Sequence, residues 1–346
     1  MVISVLIRRY FAVLKKSWGY LRLKPSLVAL AVLVALMSAC MRDFATARNF
    51  MSILQQVSIL GIVSCGLMYV VLCGHIDLSV GAFASFGGVL FARLISADYA
   101  GINPALAMLV VILACVAMGL FKAFLTILCK MPSVIATLGV TMIMNGVNNL
   151  LADTKIISRL NESVILSGQS GLGTMPWMVL LFLLIAAVSG FVLRMTYLGR
   201  YIYAIGANSK AARLAGIHVN HVQFTAFAVC TALAGFGGIL LCCSAGVGQA
   251  TAAGDTYLYN AFTVCAVGGI SFHGGKGAMI NLLSGVLLLG VITNGMTMLG
   301  INACWYDIVQ GSVLIISVVI DYMMRNHINL ENAVRKLRGA SGINIQ

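Results

Sequence analysis

The sequence predicts an all-α, polytopic membrane protein of about ten transmembrane helices, with the N- and C-termini cytoplasmic. Three observations carry that prediction. Of 346 residues, 61% are hydrophobic and only 9% are charged, with a mean hydropathy of +1.01. Soluble domains carry about a quarter charged residues, so this chain cannot cover a water-facing surface. The apolar residues fall into runs, several close to the roughly 20 residues that cross the hydrocarbon. The basic residues crowd into every second connection, which is the asymmetry of a cytoplasmic face.

The runs lie near 27–41, 51–73, 78–96, 104–128, 131–151, 176–194, 222–245, 256–272, 278–298 and 304–324. The first and eighth are short. With the N-terminus inside, the inner segments hold most of the 22 Lys and Arg, among them Arg8, Arg9, Lys122, Lys130, Lys210, Arg213 and Lys276. The outer segments receive Arg42, Arg48, Arg93, Lys155 and Arg159. The reverse orientation would put the majority outside, against the retention of positive charge in the cytoplasm.

The chain divides into a basic amphipathic segment on the inner leaflet at 1–24, a membrane domain at 25–325 and a basic cytoplasmic tail at 326–346. The net charge of +13 belongs to that inner face, and no nucleic-acid partner is expected. Ten cysteines are scattered through apolar runs without a C-x-x-C pair, so they read as small hydrophobes. His218 and His221 have helical spacing but no third ligand nearby. No metal and no cofactor is expected. No nucleophile–base pair has the spacing of an intramembrane enzyme either.

Polar residues inside the runs mark where a solute could pass. The first interruption is Gly74-His75-Ile76-Asp77-Leu78-Ser79-Val80-Gly81. Asp77 has two readings there, contact with a solute or coupling ion, or a cap that accepts from the N–H of Ser79 or Val80. The second interruption runs from Gly268-Gly269-Ile270-Ser271 to Gly274-Gly275-Lys276-Gly277. Paired interruptions in two halves of a transporter point to its pathway. Gln55, Gln56, Asn145, Asn148, Asn149 and Asn294 are amides within spans, suited to a polyol or to bonds between helices. The long outer loop from about Ala152 to Thr174 is polar enough to meet water or a soluble partner.

The segment 199–223 is a largely polar, basic stretch between apolar spans. Asn208 or Ser209 is suited to cap a short helix. Lys210 to Ala215 form it, and Gly216 stands where a left-handed C-cap is usual. Ala211, Leu214 and Ala215 share one face, fitted to a groove on a partner. The chain has no phosphate loop of its own. His273-Gly274-Gly275-Lys276-Gly277 lacks the required Gly at 270, which is Ile, and the Ser or Thr at 277, which is Gly. Hydrolysis of ATP, if it drives this protein, belongs to another chain; the protein itself is not expected to be an enzyme.

These strings resemble the permease subunit of the ribose-type ABC sugar importers. The likeness is carried by Ile53-Leu54-Gln55-Gln56, Gly74–Gly81, Gly199–Ile217 and Gly268–Gly277, with weaker similarity from about residue 44 to 325. The resemblance implies a permease at 25–325 in the bacterial inner membrane, paired with a second permease subunit as a homodimer or heterodimer. It implies an ABC-type ATP-binding subunit inside and a periplasmic sugar-binding protein outside. Asn208, Ala211, Ala212, Arg213, Leu214 and Gly216 then form the contact with the ATPase. Asp77, Ser79, Gln55, Gln56, Asn145 and Asn294 are the residues of the substrate path. Gly74, Gly81, Gly268, Gly269, Gly274 and Gly275 form the helix breaks.

The chain departs from the pattern at His75, where Gly is usual, and at Ser209 and Lys210, where Glu is common. It departs again at Leu258 and Asn260, where acidic residues are frequent, and at Asn145, where Arg is frequent. Those changes leave the solute open among pentoses, hexoses and other small polyols. The competing expectation is an ion-coupled secondary transporter of a small polar solute, with Asp77 or Asp307 as its ion site.

Overall fold

A computed structural model describes residues 25–158, 160, 164–165, 170–172, 175–302 and 304–325. The basic segment 1–24, the tail 326–346, Arg159 and Glu162 lie outside the described residues.

Each predicted run holds a helix. In chain order these are α1 (Pro25–Cys40), α2 (Ala47–Leu72), α3 (Val80–Ile95), α4 (Pro104–Ala123), α5 (Ser133–Leu151) and α6 (Trp177–Met195). Two short helices, α7 (Tyr197–Ala207) and α8 (Ser209–Leu214), precede α9 (Val219–Ala245), α10 (Gly254–Gly268), α11 (Met279–Met298) and α12 (Cys304–Arg325). Caps set several of the starts. Thr46 accepts from the Asn49 N–H before α2, and Asn103 accepts from Ala105 before α4, whose first residue is Pro104. Among the described residues six helices are long and apolar enough to cross a membrane: α2, α4 with its π-helical extension Phe124–Leu128, α5, α6, α9 and α11. Three shorter apolar helices, Ser26–Cys40, Val80–Ile95 and Cys304–Val319, lie in α1, α3 and α12. A two-residue antiparallel ladder, β1 (Gly171–Leu172) with β2 (Met175–Pro176), departs from the all-helical expectation in the loop between α5 and α6.

The core forms around α2 and α9. From Val57 to Leu72 every residue of α2 is buried, and α9 packs against α2, α3 and α4. Backbones meet closely here. A Cβ on Gly87 would overlap the Gly235 carbonyl, and one on Gly238 would overlap that of Ala84. Van der Waals contact of this kind holds helices together where lipid offers no hydrophobic drive. Helices α4, α5, α6 and α12 instead expose Leu113, Met142, Leu150, Phe191 and Ile315. Apolar area on that scale, outside a well-packed core, is the surface of a protein solvated by hydrocarbon.

Candidate functional site

The polar segment folds as its capping residues direct. Asn208 leaves the helical region and its carboxamide oxygen accepts from the N–H groups of Lys210 (3.1 Å) and Ala211 (3.0 Å). At the far end Gly216 has φ +81, its N–H bonds the Arg213 carbonyl, and the Ile217 N–H reaches back to the Ala212 carbonyl. That pair of bonds is a Schellman cap. Ala212 faces inward, whereas Ala211 and Ala215 are exposed and Leu214 is 90% exposed. The preceding helix α7 is a further element, begun by the Thr196 hydroxyl, which accepts from Gly199. It turns Ile202 and Ile205 into the core, and the Tyr203 hydroxyl donates to the Gly277 carbonyl at 2.9 Å.

The two interruptions meet at the end of α7. The Gly275 N–H bonds the Leu72 carbonyl at 2.9 Å, joining the 268–277 loop to the end of α2. Gly206 lies against both: a Cβ there would overlap the Leu72 carbonyl and the Gly275 nitrogen. A Cβ on Gly274 would fall 2.8 Å from the Gly74 nitrogen and 2.9 Å from the Gly206 Cα. Three backbones therefore touch without side chains between them, two residues before the Asn208 cap. The interruptions also share their geometry. His75 N–H bonds Val70 and Ile270 N–H bonds Cys265, each closing a helix that ends on a left-handed glycine, Gly74 or Gly269. Asp77 Oδ1 then accepts from the Ser79 N–H, as Ser271 Oγ accepts from the His273 N–H.

The first interruption is an unwound, part-buried backbone with Asp77 and Ser79 fully buried, and α5 supplies its partners. Ser133 Oγ accepts from the Ile76 N–H, Thr137 Oγ1 accepts from the Leu78 N–H, and Thr141 Oγ1 donates to the Leu78 carbonyl. These three hydroxyls recur every four residues on one face, the spacing that lines a helix side. Buried non-helical backbone is tolerated in a membrane protein when neighbours satisfy it in this way.

Charge is satisfied there too. Lys122 and Asp77 are both fully buried, with Lys122 Nζ 2.5 Å from Asp77 Oδ2. Lys122 also donates to Ser79 Oγ at 2.7 Å, and the Ser79 hydroxyl donates to Asp77 Oδ1 at 2.5 Å. The ammonium lies 4.6 Å from the Phe83 ring centroid, and Cys230 Sγ is 3.6 Å from Asp77 Oδ2. The last α-turn of α4 thus brings a cation inward just before the π-turn at Phe124–Leu128. The charge count assigned Lys122 to the cytoplasmic connections. It belongs instead to the core, because the Asp77 carboxylate provides what water would otherwise supply.

The comparisons bear on what this arrangement is for. Residues 49–318 match the family described as branched-chain amino acid transport system, permease component. The ribose import permease protein RbsC of Escherichia coli strain K12 is 32% identical over 318 residues, covering 91% of this chain and 96% of that protein. The chain belongs to this permease family. The fructose import permease protein FrcC of Rhizobium meliloti is 31% identical, covering 90% of the chain and 89% of its own length. The L-arabinose ABC transporter permease protein AraH of Azospirillum brasilense is 28% identical, covering 89% and 90%. No solved structure matches the chain.

Within this permease the predicted path residues do not converge. Asp77 and Ser79 sit at the buried pair. Asn294 exchanges two carboxamide bonds with Asn49, linking α11 to α2 at 3.0 and 3.1 Å. Gln55 and Gln56 are exposed on α2, and Asn145 is exposed on α5. Asn148, on α5, is buried and donates to the Ala82 carbonyl. Among the break glycines, Gly81 lets α3 approach the Gly254 carbonyl and Gly268 approaches the Asn281 carbonyl. Sequence reasoning missed Lys122, though a lysine within an apolar run carries its own signal, since such a charge seeks a partner in the bundle.

Proposed function

We propose that the chain is the transmembrane permease subunit of an ATP-driven importer that moves a small sugar, of pentose or hexose kind, inward by alternating access. The observation that carries this is α8, a six-residue helix capped at both ends, with Leu214 exposed and no phosphate loop anywhere in the chain. A helix that short is not stable by propensity alone, so its caps imply that its shape is used. The relatives supply the solute class through their roles in ribose, fructose and L-arabinose transport.

The working unit is two permease subunits, alike or different, two ATP-binding subunits inside and a sugar-binding protein outside. Each permease crosses the bacterial inner membrane about ten times with both termini cytoplasmic. Closure of the ATP-binding dimer pushes on α8. Motion then passes through Asn208 into the Gly206 contact, where the two interruptions and α7 touch backbone to backbone. The interruptions shift together, and the path changes the side it faces.

Ion coupling at Asp77 has less support, because the Asp77 carboxylate already holds Lys122 as its cation. The decisive experiment replaces Ala211 and Leu214 with Asp. The variant inserts normally, fails to co-purify with the ATP-binding subunit, and loses ATP-driven uptake in reconstituted vesicles. Normal uptake and normal ATPase stimulation would rule out α8 as the docking element.

A further inference from the structure

A groove of about 370 Å³ runs between α10 and α12. Its α10 side presents Asp255, Thr256, Tyr259 and Thr263, and its α12 side presents Asp307, Gln310, Gly311 and Leu314. Each set follows helical spacing, so two complementary stripes face one another across the groove. Asp255 and Asp307 are exposed, and among the described residues neither makes a salt bridge or a side-chain hydrogen bond. Both carboxylates stand in the first turn of their helices, where the helix dipole favours negative charge, and both are open to a donor from outside the chain.

The groove's position follows from the chain path. The far end of α10 runs through Gly268 and Gly269 into the loop that packs on Gly206 and Ala207 beside α8. Asp255 stands at the opposite end of α10, about 20 Å away at 1.5 Å per residue. The groove therefore opens toward the face away from the ATP-binding subunit.

We propose that this groove is the permease's own sugar-receiving site, where Asp255 and Asp307 accept hydrogen bonds from sugar hydroxyls released at the outer face. The assignment rests on the sugar-importer reading above. A carboxylate accepts from two neighbouring hydroxyls and has no donor of its own, so it is matched to a polyol. The Gln310 carboxamide both donates and accepts, and the 57% exposed Tyr259 ring offers a flat face to the C–H side of a pyranose or furanose. A divalent cation fits less well, since Ca²⁺ takes about six to eight oxygen ligands. No group of three metal-capable side chains occurs among the described residues.

The test uses the full complex of permease, ATP-binding subunit and binding protein in proteoliposomes, with labelled D-ribose, D-fructose and L-arabinose as probes. Asp255→Asn and Asp307→Asn keep the shape and exchange an acceptor oxygen for a donor. Each is expected to lower uptake at subsaturating sugar about tenfold, the loss of one charge-assisted bond. Each is also expected to change the ratio among the three sugars, which general damage would not do. Ser312→Ala, on α12 outside the groove, serves as the control. Unchanged uptake, or an equal fall for all three sugars, overturns the groove assignment while leaving the importer reading intact. Uptake driven by a sodium or proton gradient without ATP, or no uptake of any of the three by the wild-type complex, overturns both.

Discussion

Lys122→Met isolates the energetic role of the buried pair. The substitution keeps most of the side-chain volume and removes the cation 2.5 Å from Asp77 Oδ2, leaving a carboxylate with both residues at 0% exposure. Breaking a buried pair from one side costs about 3–5 kcal/mol, because the remaining charge keeps its desolvation penalty and loses its partner. At 4 kcal/mol the folded fraction falls about a thousandfold relative to the unfolded. Asp77→Asn alone should be comparably severe, since it strands the ammonium. On the cap reading alone Asn would be mild, because it caps nearly as well as Asp.

The double variant Asp77→Asn/Lys122→Met discharges the site and keeps an Asn oxygen for the Ser79 N–H, bonded at 2.9 Å in the native protein. It should return to within about 1–2 kcal/mol of the wild type, giving a coupling energy of roughly 6–7 kcal/mol. Denaturant titration of the purified permease in detergent micelles measures all four corners of the cycle. A Lys122→Met loss within about 0.5 kcal/mol, the range of an ordinary surface change, would refute the claim of a dry pair. So would a double variant no more stable than either single one.

Two further outcomes are expected. Gly206→Ala places a Cβ against the Leu72 carbonyl and the Gly275 nitrogen and should cost about 1–3 kcal/mol in micelle stability. Gly139→Ala, with open space around it within α5, should be neutral or stabilising by about 0.5–1 kcal/mol; equal effects at the two positions would remove the three-backbone contact. Orientation is read by thiol labelling, since Cys40, Cys129 and Cys304 are the exposed cysteines and the others are buried. An impermeant maleimide applied outside right-side-out vesicles should modify Cys304 and spare Cys129, and the reverse pattern would invert the topology.

What the sequence determined by itself is local or additive. Composition fixed the solvent as lipid, because so few charges cannot cover a wet surface. The fold of α8 was readable at single residues, since Asn208 and Gly216 act on N–H and C=O groups a few positions away. The helix α7 just before it was not read, because its helical form depends on Ile202 and Ile205 finding a core to enter. Among the described residues six helices meet the length for crossing, whereas shorter ones such as α3 are helical through packing as much as through their own run.

Only the tertiary structure decided the choice at Asp77. The residue does accept from Ser79, yet its other oxygen answers Lys122, which lies 45 positions away and entered the charge count as a cytoplasmic residue. The same holds for Gly206, whose need for glycine arises from Leu72 and Gly275, both remote in the chain. Caps and hydropathy are properties of neighbouring residues, so they can be read along one dimension. An ion pair in a dry core, or three backbones in contact, exists only once distant segments have been brought together.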